Sequence, residues 1–378
     1  MQREFFGFNA IFKLKDLCDE YKPKHIFLVT GQKSFFLSGA EKKIRSILEK
    51  IAFTRFDSFS VNLNISEVRQ GIVLFKKVNP DLVIAIGGGS AIDMAKIVNV
   101  LSAHGGEPEE YIIGSKKLEK SGKPLIAIPI TAGTGSDATY FATIYIDKTK
   151  YSLGDRYLTM PTVSIVDPSL TESMPKYLTA STGLDALCQG VESIWSINST
   201  DESRKYAKES VSIAFKNIEK AVNNPSKDAR LNMAKAAHLS GKAINISKTT
   251  ACHSISYPIT SYFGVPHGHS VALTIPSFIE FNGRVSEKDC NDSRGAHFVK
   301  KQMHEIIRLM DCKDDQDAKN RFQKMMMELG VKTKFSELKI NKKGVALIIE
   351  KGFTPERMNN NPRKVTREDL KVILEELL

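Results

Sequence analysis

The sequence predicts an α/β N-terminal domain built on a mostly parallel sheet, followed by an all-helical C-terminal domain. Three observations carry this. Short β-branched runs close on glycines and lead into amphipathic stretches over roughly the first 165 residues. Beyond Asp167 and Pro168 the pattern changes to long helical periodicity with few strand candidates. A length of 378 residues, at about 150 per domain, gives room for two domains. The division is placed at 167, with an α/β domain over 1–167 and a helical domain over 168–378.

The elements follow in order. Residues 25–30 (HIFLVT) form a compact apolar run ending at Gly31 and read as a strand. Residues 39–52 have helical spacing through Ile44, Ile47, Leu48 and Ile51, and 67–78 repeat it with Val68, Ile72 and Phe75. Residues 81–86 (DLVIAI) are a second buried strand, closed by Gly87, Gly88 and Gly89, with a helix over 93–101. Residues 124–129 give another strand. The C-terminal half offers helices over 183–197, 201–222 and 228–246, and the polar stretch 284–297 reads as a loop.

Composition excludes several classes. Hydrophobic residues at 42% and charged residues at 26% are globular values, so neither disorder nor a disulfide-stapled miniprotein fits. The five cysteines (18, 188, 252, 290 and 312) form no CxxC pair and read as reduced thiols in a cytoplasmic protein. The opening MQREFFGFNAIFKLKDL lacks a signal-peptide core, and no apolar run reaches the roughly 18 residues that span a bilayer. A soluble protein without membrane partners is expected. Lys116, Lys117, Lys120 and Lys123 lie in a glycine-flanked loop without interleaved aromatics, a solvated surface and not a nucleic-acid site. The net charge of +11 favours anionic ligands without naming one.

Two constellations suggest chemistry. Gly87, Gly88, Gly89 and Ser90 sit between a buried strand and a helix, where the backbone can approach a phosphate and the helix N-terminus favours negative charge. A tight turn that binds nothing is the alternative. A second small-residue cluster, Thr131 to Asp137 (TAGTGSD), follows the next strand. Two such clusters on successive strand ends point to one extended phosphate ligand, most simply a dinucleotide, although the GxGxxG pattern is absent. In the helical half, Asp185 and Gln189 are four apart and share a helix face, while His253 and His267 supply imidazoles. One carboxylate and two imidazoles suit Fe²⁺ or Zn²⁺, with the Gln189 amide oxygen as a weak fourth ligand.

Six ordered blocks, after an opening Phe6-Gly7-Phe8 and a short helix, resemble the iron-containing, or group III, alcohol dehydrogenase family. They are GGGSAIDMAK (87–96), IPITAGTGSD (128–137), VDPSLTESMP (166–175), TGLDALCQGVE (182–192), HSISYPITSYFGVPHG (253–268) and NNPRKVTREDL (360–370). The resemblance implies the dehydroquinate synthase-like fold of that family, NADH or NADPH, one divalent metal (Fe²⁺ or Zn²⁺), and a homodimer or larger assembly. It places the metal on Asp185, Gln189, His253 and His267. It places the dinucleotide on Gly87, Gly88, Gly89, Ser90, Asp93, Thr131, Thr134 and Ser136, with Lys150 as a cofactor-contacting lysine after the hairpin.

Three positions depart from the family pattern. Gln189 stands where the second ligand is typically histidine, which weakens metal affinity. Tyr257 replaces a histidine near the nicotinamide; a phenol relays protons but titrates near about pH 10 instead of about 6.5. Gly31 replaces an aspartate that disfavours a 2′-phosphate, and with Lys33 two residues on it should admit NADPH. The ISYPITSYFGVPHGH stretch, Gln189 and IWSINSTDES (194–203) look like the branch containing phosphonoacetaldehyde reductases. The expected activity is metal-dependent, NAD(P)H-linked reduction of a small anionic aldehyde, with Tyr257 and His269 as catalytic residues. The rivals are a dehydroquinate synthase-like lyase using NAD catalytically and a non-catalytic dinucleotide-binding relative with a weakened metal site.

Overall fold

The computed structural model describes residues 2–378. Contacts divide the chain into two compact units, Met1–Met174 and Pro175–Leu378.

The first unit holds β1 (Arg3–Phe6), β2 (His25–Thr30), β3 (Ala52–Phe56), β4 (Leu82–Gly87), β5 (Leu125–Pro129), β6 (Ala142–Ile146), β7 (Thr149–Leu153) and β8 (Val163–Val166). Six of these form one sheet in the order β1-β8-β5-β4-β2-β3, with every neighbouring pair parallel. β6 and β7 form a separate antiparallel hairpin. Successive residues of the central strands serve opposite faces. Phe27, Val29, Val83 and Ala85 pack under the helices α1 (Ile65–Val78) and α2 (Gly89–Ser102). Ile26, Leu28, Leu82, Ile84 and Ile86 pack against the helices Lys13–Tyr21 and Ala40–Leu48. Burial on both faces is why these strands read as unbroken apolar runs.

The expected helix over 39–52 ends at Leu48, and Ala52–Phe56 pairs with β2 as the far edge strand. Only Phe56 in that strand is buried, so almost no hydrophobic pattern betrays it. α2 starts at Gly89, four residues before the expected start, because Gly88 is extended (φ −74°, ψ −174°) and hands over directly to the helix.

The second unit is helical among its described residues, apart from one isolated bridge between Cys290 and Arg363. Its centre is α3 (Lys176–Trp195), buried on nearly every side from Thr179 to Trp195 and beginning seven residues before the expected 183. Around it pack α4 (Asp201–Asn223), α5 (Lys227–Ser247) and α7 (His267–Ala272). α6 (Ala251–Phe263) lies against α7 and against the later helices Lys342–Gly352 and Pro355–Asn359. Among the described residues, no helix is long and apolar enough to cross a membrane.

Candidate functional site

In the first unit Gly31, the Gly87 to Gly89 turn and the Thr131 to Ser136 turn follow β2, β4 and β5, three adjacent strands. The turns approach closely. A Cβ on Gly89 would lie 2.9 Å from Thr134 Cγ2, and one on Gly87 would meet Ala91 Cβ at 2.4 Å, with Gly31 N 3.5 Å away. Gly88 caps α2 without a side-chain hydrogen bond, and Ala91 N donates to the Gly88 carbonyl at 3.1 Å, so the N–H groups of Gly89 and Ser90 at the helix start are the ones suited to a ligand. Ser90 Oγ donates to the Val61 carbonyl.

Asp93, expected among the cofactor-binding residues, faces inward instead. Its carboxylate accepts from Ser136 Oγ and from Thr143 N and Oγ1, the last two at 2.9 Å, so it fastens the second turn and the hairpin to α2. Lys150 lies on β7 within the hairpin, opposite Tyr145 on β6, and not after it. The carboxylate missing after β2 has a neighbour from β3. Arg55 donates to Thr30 Oγ1 at 2.7 Å and to the Gly31 and Gln32 carbonyls, and pairs with Asp57 at 2.8 Å.

Sequence reasoning passed over Lys96, although it lies in GGGSAIDMAK. Its buried ammonium donates to Ser136 O (2.6 Å), Ser136 Oγ, Thr139 Oγ1 and Phe141 O. Burial pushes its pKa down to about 8, against the opposing pull of Asp93 and Asp137. At pH 7 it is therefore still charged, and it holds the 136–141 segment in place from below. Lys96→Met should weaken dinucleotide binding at least about tenfold, equivalent to about 1.4 kcal/mol, while metal content stays the same. Nicotinamide fluorescence titration checks it, and unchanged affinity would remove Lys96 from the cofactor loop.

In the second unit Asp185, His253 and His267 come from α3, α6 and the first residue of α7, with ligand atoms all within 4.8 Å of one another. Gly268 makes the approach possible, since a Cβ there would lie 2.0 Å from Ser181 O and 2.7 Å from Asp185 Cβ. Both imidazoles are oriented from behind. His253 Nδ1 donates to Glu192 Oε2, which turns Nε2 toward Asp185 Oδ1, 3.6 Å away. Ser256 Oγ gives its proton to the His253 carbonyl at 2.6 Å, so it accepts from His267 Nδ1 at 3.3 Å, and His267 Nε2 lies 3.9 Å from the same carboxylate oxygen.

These residues fit a divalent cation. His253 Nε2 is buried and makes no hydrogen bond, and it converges with a second imidazole on one carboxylate. Burial opposes the imidazolium of His253, but Glu192 and Asp185 outweigh it and push its pKa up to about 9. Two buried carboxylates thus demand positive charge at this point, whether from a proton or a metal. Gln189 sits one turn beyond Asp185, and its amide oxygen accepts from Ser240 Oγ on α5 at 2.8 Å.

Glu192 is the residue the sequence reading missed here. It is fully buried; Oε1 accepts from Thr250 Oγ1 (2.8 Å), Cys252 N (3.0 Å) and His253 N (3.3 Å), and Trp195 Nε1 braces Thr250. Burial would raise its pKa, yet the charge and hydrogen bond of His253 hold it below the usual value. This is the carboxylate–histidine–metal arrangement. Its only sequence signal was the spacing of Asp185, Gln189 and Glu192 along one stripe of a helix.

The two expected catalytic residues part company. The Tyr257 ring stacks on His267, with centroids 6.2 Å apart and planes at 24°. His269 instead bonds through both ring nitrogens, to Tyr177 OH at 2.9 Å and to the Lys332 carbonyl at 2.6 Å. Burial lowers its pKa, so it is a neutral strut.

Comparison with known proteins places both halves of the chain in one family. Residues 2–168 match the family described as iron-containing alcohol dehydrogenase, and 179–378 match its C-terminal part. The chain is 32% identical over 312 residues to a phosphonoacetaldehyde reductase of Streptomyces viridochromogenes, covering 80% of this chain and 77% of the relative. It is 26% identical over 374 residues to a 1,3-propanediol dehydrogenase of Klebsiella pneumoniae, covering 98% and 95%. The crystal structure of a sulfoacetaldehyde reductase from Bifidobacterium kashiwanohense with NAD⁺ superposes with a TM-score of 0.88 at 28% identity, over 100% of this chain and 96% of that one. The chain belongs to the iron-containing alcohol dehydrogenase family and is an NAD-linked, metal-dependent alcohol dehydrogenase or aldehyde reductase.

Proposed function

We propose that this enzyme reduces a short aldehyde carrying an anionic group to its alcohol, with phosphonoacetaldehyde to 2-hydroxyethylphosphonate as the specific candidate. The observation that carries the reaction is the pair of imidazoles turned onto Asp185 by Glu192 and Ser256. Support for the anionic substrate comes from two similar proteins named for phosphonoacetaldehyde and sulfoacetaldehyde.

In this reading Asp185, His253 and His267 hold Fe²⁺ or Zn²⁺, with Gln189 as a weak fourth donor. The metal supplies a Lewis acid for the carbonyl oxygen, and the nicotinamide supplies the hydride. Glu192 fixes the His253 tautomer. Tyr257 donates a proton to the product oxygen, so aldehyde, NAD(P)H and H⁺ give alcohol and NAD(P)⁺. Gly31, Gly87, Gly88, Gly89, Ser90, Thr131, Thr134, Ser136 and Lys150 hold the dinucleotide. The open end of β2 at Gly31, with Lys33 nearby, supports NADPH, while the similar sulfoacetaldehyde reductase solved with NAD⁺ supports NADH. The five free cysteines support a cytoplasmic enzyme, and the family resemblance a homodimer.

Steady-state NAD(P)H oxidation after loading with Fe²⁺ or Zn²⁺, across aldehydes with and without phosphonate, sulfonate or carboxylate, tests the proposal. The anionic members should exceed neutral ones at least about tenfold in kcat/KM. Equal rates on neutral aldehydes would defeat the anionic reading, and no metal-dependent rate on any aldehyde would defeat the reductase reading.

A further inference from the structure

We propose that Arg55 binds the 2′-phosphate of NADPH and so selects that cofactor over NADH, an assignment that rests on the dinucleotide reading of the strand-end turns above. In a doubly wound parallel sheet the strand beside the one that carries the glycine turn ends at the adenosine ribose. There a carboxylate suits the 2′-hydroxyl of NADH, and an arginine suits the 2′-phosphate of NADPH. In this sheet β4 carries the glycine turn and β2 lies beside it, with Thr30 paired to Ile86. Gly31 is the first residue past β2, and a Cβ there would collide with Ser34 Oγ. The serine hydroxyl fills the space in which an acidic side chain at 31 would begin, and the stretch Gly31-Gln32-Lys33-Ser34 holds no carboxylate.

The next strand supplies the charge. Arg55, opposite Leu28 on β3, reaches across the end of β2. Its Nε donates to Thr30 Oγ1 at 2.7 Å, and Nη2 donates to the Gly31 carbonyl at 3.3 Å and to the Gln32 carbonyl at 3.2 Å. The guanidinium carbon lies 5.2 Å from the centre of the Phe35 ring and 4.9 Å from that of Phe36. Hydrogen bonds and two rings thus fix the cation at the Gly31 turn, so little side-chain freedom is lost when a ligand arrives. The side chain is 24% exposed, which leaves it within reach of one.

Donors are left over. A guanidinium has five N–H groups. Thr30, the two carbonyls and Asp57, which pairs with Nη2 at 2.8 Å, engage Nε and Nη2. Among the described residues neither Nη1 of Arg55 nor the Ser34 hydroxyl has a hydrogen-bond partner. Lys33, exposed beside Ser34, adds a second cation. A phosphate monoester brings nearly two negative charges and three acceptor oxygens, which these donors match; a ribose hydroxyl leaves Nη1 without a charged partner. Asp57 works against the phosphate, because it repels an added anion. That opposition separates the two cofactors: for NADH, Asp57 is an acceptor for the ribose hydroxyl, and for NADPH it weakens binding.

Nicotinamide fluorescence titration with NADPH and NADH, on the wild type, Arg55→Met, Arg55→Lys and Asp57→Asn, tests the assignment. The wild type should bind NADPH at least about tenfold more tightly than NADH. Arg55→Met should lose at least about 30-fold on NADPH and less than about threefold on NADH, and Arg55→Lys should recover part of the loss. Asp57→Asn should tighten NADPH binding about three- to tenfold. A further measurement needs no variant. Adenosine 2′,5′-bisphosphate should displace NADPH from the wild type at a concentration at least about tenfold below that of 5′-AMP.

An equal loss on both cofactors in Arg55→Met would overturn the assignment, because Arg55 would then act only by holding the Gly31 turn. Tighter binding of NADH than of NADPH by the wild type, weaker NADPH binding by Asp57→Asn, or equal displacement by the two adenosine phosphates would also overturn it. If neither dinucleotide binds, the dinucleotide reading fails and takes this assignment with it, whereas a wild type that binds only NADH defeats the Arg55 assignment alone.

Discussion

Gly268→Ala should strip the protein of its metal affinity. The new Cβ would lie 2.0 Å from Ser181 O, 2.7 Å from Asp185 Cβ and 2.9 Å from Asp185 N. None of these is the flexible end of a side chain. All belong to α3, which is enclosed on nearly every side and has nowhere to go. The turn that carries His267 must therefore retreat, and metal–ligand distances tolerate only about 0.2 Å. We expect metal affinity to fall at least about 100-fold and stability to fall by about 1–3 kcal/mol, the usual cost of overpacking. Competition with a chromophoric chelator and urea unfolding measure the two effects. Affinity within threefold of wild type would mean that α7 tilts without moving His267.

Glu192→Gln should have nearly as large an effect with almost no change in shape. Three donors, Thr250 Oγ1, Cys252 N and His253 N, converge on Oε1, so the amide oxygen of a glutamine must take that position. Its NH₂ group then faces His253 Nδ1, which has to accept. The imidazole proton moves to Nε2, the atom that points at Asp185, and the ring becomes a donor where a ligand is needed. Metal affinity should fall about 10- to 100-fold, with dinucleotide affinity unchanged. Isothermal titration with Zn²⁺ checks this, and Glu192→Asp should recover part of the loss. If the glutamine variant bound metal like the wild type, Glu192 would be only a packing element.

Features that depend on short stretches of chain were readable in the sequence. The apolar run of β4 and its three glycines mark a strand end and a helix start whatever the rest of the chain does, and the stripe through Asp185 and Gln189 follows from helical spacing alone. β3 was hidden because, as an edge strand, it buries little but Phe56. Glu192 and Lys96 were hidden for another reason. Each gains its role from partners brought near by the fold, such as His253 for Glu192 and the 136–141 segment for Lys96. His269 shows the converse error. Its closeness in sequence to His267 suggested chemistry, yet the helical turn points it to Tyr177 and the Lys332 carbonyl.

The three candidate metal ligands belong to three separate helices, two of them distant in sequence from the first. An ion held there acts as a cross-link as well as a reagent. At an ion concentration 100 times the dissociation constant it would add about 2.7 kcal/mol to the folded state, a large share of the margin by which most domains stay folded. Cells short of the metal would therefore carry fewer copies of the enzyme, because chains without it are cleared faster by proteases, in addition to those copies being idle. Supply of that ion would then bear on the amount of the enzyme as well as on its turnover.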